Sequence, residues 1–197
     1  MSRNNAVGCC NCSDRCVLRN FPNAVCPYID RRLEAGLVTY REAVFSTIVC
    51  TTRMMPRLDN LVAQYPGQLW ISEAHQNRME CLNYELGFVH KRNTNRYYAA
   101  MYLLTANLPL HNRTEGHYSY LAIDFSNVSL KGISARNYTL FQTARRLLSG
   151  ETRIDSFDLS DPEIVDDELF MLIINALLIV RFGLRAMNLT KGAAKSE

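Results

Sequence analysis

Five cysteines lie close together near the start of the chain and could bind a metal ion. Cys9, Cys12, Cys16 and Cys26 offer four thiolate ligands, with Cys10 as a spare. Structural zinc takes four soft or borderline ligands in a tetrahedron, and the spacing of Cys9 and Cys12 lets one turn supply two of them. The cluster therefore has two main interpretations, a reduced, metal-free tail or one structural zinc, because the usual two well-separated cysteine pairs are absent. A redox or iron–sulfur role is the third.

Histidines are the second set of residues that could do chemistry. His111 and His117 flank Glu115 in a polar stretch, a pattern found in metal-binding loops and in ordinary surface loops. His75 lies in a helical pattern, where we expect it to be solvated or to help cap the helix. The sequence has no H-E-x-x-H, G-x-S-x-G or phosphate-loop motif. An enzyme with a site around these three histidines therefore ranks third among the functional hypotheses.

A basic and aromatic stretch, KRNTNRYY at residues 91–98, could bind nucleic acid. Basic side chains neutralise phosphates, and aromatic rings stack on bases. No homeodomain, RNA-recognition or zinc-finger pattern accompanies the stretch. At least one of Tyr97 and Tyr98 is expected in the core, because the two tyrosines begin an apolar helix. The candidate residues are Lys91, Arg92, Arg96, Tyr97, Arg145 and Arg146.

Acidic residues are concentrated near the C-terminus. Residues 151–168 contain eight acidic side chains and a single base, Arg153. The acids lie in predicted loops and first helical turns, where negative charge is favourable, and nothing in the sequence suggests a raised carboxyl pKa. We therefore interpret the segment as an acidic face that docks a partner and not as a pair of catalytic carboxylates. The candidate docking residues are Asp155, Asp158, Asp161 and Asp166.

Helix signals recur along most of the chain. Thr39 and Glu42 form one capping-box pattern and Ser160 and Glu163 another, while Ser72 suits an N-cap. Cys50 and Cys81 fall in helical patterns and are expected to be small core residues. Prolines and glycines mark the ends of the helices. The predicted helices are Pro27–Leu33, Tyr40–Met55, Arg57–Tyr65, Glu73–Leu86, Asn95–Ala106, Asn137–Leu148 and Asp167–Phe182.

The predicted fold class is mainly α, a small helical bundle around a central apolar helix at 167–182. The apolar run Leu169–Val180 has 12 residues, fewer than the roughly 20 that cross a bilayer, so no membrane association is expected. A short β element near 117–125 is an alternative to a helical turn there. The predicted division is a cysteine-rich segment with short helices at 1–66, irregular at its start, followed by a helical bundle domain at 67–197.

No secretory signal precedes the cysteines, since Arg3 is followed by small polar residues and not by an apolar stretch. The seven cysteines also make an odd number, which argues against a closed disulfide framework. Both observations favour a cytoplasmic protein with reduced thiols.

Several stretches after Trp70 carry a resemblance: ISEAHQNRMECLNYELGF, RYYAAMYLLTANLPL, GISARNYTLFQTARRLL and FMLIINALLIVRFG. Residues 70–190 resemble short, uncharacterised proteins of Gram-positive gut bacteria and their mobile elements. That group has no assigned activity, so the resemblance implies no functional residue. It implies a bacterial or phage-type accessory protein.

The sequence favours a non-enzymatic protein that acts by binding another protein. Residues 151–197 carry a net charge of −4 and residues 1–150 a net charge of +7, which suits a bundle with oppositely charged faces. A zinc-stabilised nucleic-acid-binding protein is the second hypothesis. The sequence gives no indication of the oligomeric state.

Overall fold

The computed structural model describes residues 27–48, 51–87, 94–120, 122–151 and 159–191, with side chains from residue 31 onward. Within these ranges the chain is mainly helical and forms no β-strand, which confirms the predicted fold class. The helices are α1 (Pro27–Glu34), α2 (Tyr40–Thr47), α3 (Met55–Ala63), α4 (Glu73–Glu85), α5 (Asn95–Leu104), α6 (Leu108–Thr114), α7 (Ala135–Ser149) and α8 (Asp167–Phe182), followed by a 3₁₀ helix (Gly183–Asn188).

Helices α5 and α8 form the centre of the bundle. Every α5 residue from Tyr97 to Leu104 is buried, and so is most of α8 between Leu169 and Phe182. Helix α7 packs along α5, while α2 and the 3₁₀ helix pack against α8. The predicted central helix at 167–182 is therefore confirmed. Because α5 is buried on all sides as well, a pair of helices occupies the centre.

The apolar segment Asp167–Asn188 is long and apolar enough to cross a membrane. Its most apolar window has a mean hydropathy of 1.9, but 67% of that window is buried inside the fold. An apolar helix buried by its neighbours is typical of the core of a soluble protein. The cytoplasmic location stays a prediction.

Predicted caps begin two of the helices. Glu42 N–H donates to the Thr39 hydroxyl, and Thr39 N–H donates to the Glu42 carboxylate at 2.9 Å, which completes the capping box of α2. His75 N–H donates to the Ser72 hydroxyl at the start of α4. These bonds satisfy amides that lack a partner inside the helix.

Helix α2 is shorter than predicted. The prediction of one helix from Tyr40 to Met55 is wrong, because α2 ends at Thr47 and Ile48 is extended, with φ −94° and ψ 125°. The residues at that point, Thr47-Ile48-Val49, are all β-branched. Such side chains lose rotamer freedom in a helix, which favours the end of α2 at this point.

Helix α6 is not among the predicted helices. The sequence predicts that the preceding helix ends before Pro109 and that no helix follows directly. In the structure, Pro109 lies in the first turn of α6. Proline is tolerated there because the first amides have no intrahelical acceptor. Asn107 caps the helix by accepting from Leu110 N–H at 3.0 Å.

Two ambiguous segments form turns. Tyr118 and Ile123 make an isolated antiparallel bridge, so the short β element, one of the two alternatives near 117–125, is reduced to one residue pair. No capping box forms at Ser160. The Asp161 carboxylate instead accepts from Glu163 N–H at 2.9 Å in a turn before α8.

The segment after the 3₁₀ helix pairs with the residues at the start of α2. Tyr40 N–H donates to Thr190 O at 2.9 Å, and Thr190 N–H donates to Val38 O at 3.0 Å. Helices on both sides of the predicted boundary at residues 66 and 67 contribute to one hydrophobic core. The boundary itself stays a prediction.

Gly183 ends α8 in a conformation that favours glycine, with φ 66° and ψ −157°. A Cβ there would lie 2.7 Å from Asn95 Oδ1, and Asn95 is held because it donates to Val180 O. Gly183→Ala should therefore lower the free energy of unfolding by about 2 kcal/mol, measured by urea unfolding with circular dichroism. Gly132→Ala, with φ 71° and open surroundings, should cost about half as much. Equal decreases in the free energy of unfolding for the two variants would show that the close contact between the new Cβ and Asn95 does not destabilise the fold.

Candidate functional site

A groove of about 310 Å³ lies between one face of α3 and the first turns of α8. Its residues from α3 and the C-cap of that helix, Gln64, are spaced i, i+3, i+4 and i+7, which places them on a single helix face. Those from α8 follow directly after its N-cap. The lining includes charged, amide and apolar side chains: Arg57, Asn60, Leu61, Gln64, Asp167 and Glu168.

The floor of the groove belongs to the hydrophobic core. Leu61, Tyr65 and Phe170 line it and are almost fully buried, while Met171 is half-buried beside them. Burial of Tyr65 raises the pKa of its hydroxyl to about 12, so that group is neutral. Close-packed cores deform little, so the floor is rigid. A ligand would contact a fixed but narrow apolar surface, to which the half-buried Met171 contributes.

Arg57 forms one wall and joins α3 to the segment before α8. Its guanidinium donates to Leu159 O and Val165 O, both at 2.7 Å, and to the Asp167 carboxylate at 2.8 Å. It also lies 4.4 Å from the centre of the Phe170 ring. With only 11% of its side chain exposed, Arg57 is a structural cation that shapes the groove.

Loss of Arg57 should therefore destabilise the fold. Arg57→Met keeps an apolar stem over Phe170 but leaves two carbonyls without a donor, so the free energy of unfolding should fall by about 2 kcal/mol in urea unfolding. Arg41→Met is the matched control, because Arg41 also covers a ring, that of Phe45, and pairs with an exposed acid, Asp59. That exposed pair should contribute less than about 0.5 kcal/mol. Equal effects of the two substitutions would contradict the role given to Arg57.

Two of the predicted docking residues lie in the segment that leads into α8, just before the groove-lining residues Asp167 and Glu168. Asp166 caps α8 by accepting from Leu169 N–H at 2.8 Å, and it pairs with Arg136 at 3.1 Å. Asp161 holds the preceding turn. Both therefore have structural roles besides their charge. Asp155 and Asp158 lie outside the described residues.

Acidic side chains that the sequence did not single out are nearer to the groove. Asp167 and Glu168 line it, and their side chains are 88% and 52% exposed. Residues 161–168 contain five acids and no base, and their ion-pair partners among the described residues are Arg57 and Arg136. The groove itself is lined by two acids, Asp167 and Glu168, and one cation, Arg57, so the excess negative charge of its rim is a single charge.

The candidate nucleic-acid residues are partly brought together. Arg96 is exposed at the start of α5, and its guanidinium lies against Gly150, just after α7. Arg145 and Arg146 are exposed on the last turns of α7. Tyr97 is 2% exposed and donates to Ser119 O at 2.6 Å, so its ring is not accessible to a base. Lys91 and Arg92 lie outside the described residues.

A buried polar network crosses the core behind the groove. Asn175 is 1% exposed and accepts from the Tyr40 hydroxyl at 2.7 Å. Its amide donates to Leu69 O and to the Tyr102 hydroxyl, which itself donates to Leu69 O. Burial raises the pKa of Tyr40 and Tyr102, so both hydroxyls stay protonated. Sequence reasoning missed this network, although an asparagine inside the run LFMLIINALLIV was a visible signal.

His75 lies against this network and is fully buried, so the expectation of a solvated or capping residue is wrong. Its Nε2 lies 2.9 Å from Tyr102 O, and its ring meets the Trp70 ring edge-on, with 5.1 Å between centroids. Because a carbonyl only accepts, Nε2 carries the proton, and Nδ1 is a buried acceptor without a partner. Burial lowers the pKa of His75 to about 4. The imidazole is therefore neutral at physiological pH.

His111 lies on a different helix from His75. His111 is half-buried on α6, where burial lowers its pKa. In the described part of the chain, no three His, Cys, Asp or Glu side chains are grouped so that they could hold a metal ion. The predicted zinc ligands Cys9, Cys12, Cys16 and Cys26, with Cys10, lie outside that part, so the zinc stays a prediction. Cys81 is exposed on α4, and the expectation that it is a core residue is wrong.

Comparison of the chain with protein-family models, curated protein sequences and solved structures finds no match.

Proposed function

We propose that the chain is a non-enzymatic accessory protein that acts by binding another protein through the groove between α3 and α8. The observation that carries the proposal is a rigid apolar floor beneath a rim with excess negative charge. Protein interfaces typically combine an apolar centre with a polar rim. The resemblance of residues 70–190 supports a bacterial accessory protein of mobile-element or phage type that modulates a host system.

Affinity capture with matched variants tests the proposal. Asn60 is exposed on α3 and lines the groove, so Asn60→Trp should fill the groove without removing a core side chain. Asp59→Trp is the control, since Asp59 is also exposed on α3 but does not line the groove. A partner captured from cells that produce the protein should be retained by Asp59→Trp and lost with Asn60→Trp.

Direct binding of that partner to the full chain should then be measured with purified proteins by titration calorimetry. Equal binding by both tryptophan variants would contradict the proposal, and so would the absence of any protein retained in a groove-dependent way.

The second candidate function is binding of nucleic acid by a zinc-stabilised protein. It is supported by the three exposed arginines Arg96, Arg145 and Arg146 at one end of the α5–α7 pair. Phosphate contacts make such binding strongly dependent on salt. Retention on heparin that Arg145→Gln with Arg146→Gln abolishes would support this candidate, and lack of retention at low salt would contradict it. Elemental analysis of the purified chain tests the zinc.

A further inference from the structure

We propose that the groove's partner is an extended protein segment that presents a basic side chain beside a large apolar one. This inference rests on the proposed function, because it names the chemistry of the partner that the groove would bind.

The size of the groove limits what enters it. A volume of about 310 Å³ is at the small end of the range for pockets that hold small molecules. Its floor of Leu61, Tyr65 and Phe170 is nearly buried, so the accessible apolar surface is narrow. One or two side chains fit such a site, whereas the apolar stripe of a long helix requires a longer groove.

Two carboxamides favour an extended partner over a helix. Asn60 lies on α3 and Gln64, one turn later, is the C-cap of that helix; both are exposed, and both line the groove. Within the described residues neither side chain forms a hydrogen bond, although each can donate and accept. A helix satisfies its own backbone groups, but an extended segment has free N–H and C=O groups that need partners. Asn60 and Gln64 are placed to provide them.

The negative charge of the rim favours a partner with positive charge. Asp167 and Glu168 line the groove against one lining cation among the described residues, Arg57, whose guanidinium is already bonded to Leu159 O, Val165 O and the Asp167 carboxylate. Glu168 pairs with Arg136, which does not line the groove, and its side chain stays 52% exposed. A basic side chain is attracted to this rim, and a carboxylate or a phosphate is repelled. The groove is therefore complementary to a basic segment of protein and not to nucleic acid.

Selection from a random peptide library displayed on phage tests the inference, because it samples many partner sequences at once. The library is selected on the full 197-residue chain and counter-selected on Asn60→Trp, with Asp59→Trp as the matched control. Enriched peptides should combine Lys or Arg with an adjacent Leu, Ile, Met or Phe. A synthetic peptide of the enriched sequence should bind the wild-type chain and Asp59→Trp equally, and Asn60→Trp at least tenfold more weakly.

Charge variants separate this inference from the proposed function. Asp167→Asn with Glu168→Gln should weaken the same peptide about fivefold, because two exposed charge contacts are lost, whereas Asp59→Asn should have no effect. Circular dichroism would verify that the variants fold. Enrichment of acidic or uncharged peptides that Asn60→Trp rejects would overturn the basic partner and leave the groove as a protein-binding site. Absence of any peptide that distinguishes wild type from Asn60→Trp would overturn both.

Discussion

Asn175→Ala should lower the free energy of unfolding by about 4 kcal/mol, the largest loss that we expect from a single substitution in this chain. The substitution leaves a cavity at a position on α8 that is 1% exposed. It also leaves the Tyr40 hydroxyl without its acceptor, because that hydroxyl donates to Asn175 Oδ1 at 2.7 Å. A buried hydroxyl without an acceptor costs about 1 to 3 kcal/mol. Urea unfolding followed by circular dichroism measures the loss.

A double-mutant cycle identifies how much of this loss comes from the network. Tyr40→Phe removes the hydroxyl that Asn175→Ala would strand, so the double variant should be more stable than the sum of the single effects predicts, by about 1 to 2 kcal/mol. Strict additivity, or a loss below about 1 kcal/mol for Asn175→Ala, would show that Asn175 does not hold the core together.

Acid should destabilise the fold through His75. The folded pKa of His75 is about 4 because of burial, below the ordinary value of 6.5, so the unfolded state binds the proton at a higher pH than the folded state. The stabilisation is complete above pH 6.5 and disappears as the pH falls towards 4. The linkage between protonation and folding gives a total decrease in the free energy of unfolding of about 3 kcal/mol. The positive charge of Arg78 also opposes protonation, and the rings of Trp70 and Tyr102 offer no compensating charge.

Urea unfolding from pH 7 to pH 4 tests this dependence. His75→Gln keeps an N–H that can donate to Tyr102 O but cannot titrate, so its stability should vary with pH less than that of the wild type. His111→Gln is the control for the second histidine whose pKa burial lowers, and it should retain most of the pH dependence. Parallel curves for wild type and His75→Gln would contradict the assignment.

The helices with strong local signals were predictable from the sequence. The cap at Thr39, the cap at Ser72 and the long apolar run of α8 each identify a helix without reference to the rest of the fold. The end of α2 at Thr47 and the start of α6 at Leu108 were not predicted. A run of β-branched residues is a weaker stop signal than glycine, and a proline can either end a helix or begin one.

The candidate site was only partly predictable. The acidic segment was visible in the sequence, but the groove depends on α3 lying beside the start of α8, more than 100 residues later in the chain. Arg57 illustrates the reason, because its hydrogen bonds to Leu159 and Val165 join distant parts of the chain. The sequence around His75 is that of an exposed helix residue. The side chain is buried because the rings of Trp70 and Tyr102 pack against it.

The groove and the basic end of the α5–α7 pair favour partners of opposite charge. A partner of the groove presents positive charge, whereas a partner of Arg96, Arg145 and Arg146 presents negative charge. A footprint on the chain therefore distinguishes protein binding at the groove from nucleic-acid binding at the arginines.

Hydrogen–deuterium exchange of the full chain, alone and with the captured partner, measures that footprint most directly. We expect binding to slow the exchange of amides in α3 and in the first turn of α8, and to leave the start of α5 and the end of α7 unchanged. Slower exchange around Arg96 and Arg146 with an unchanged α3 would contradict the assignment of the groove as the binding site.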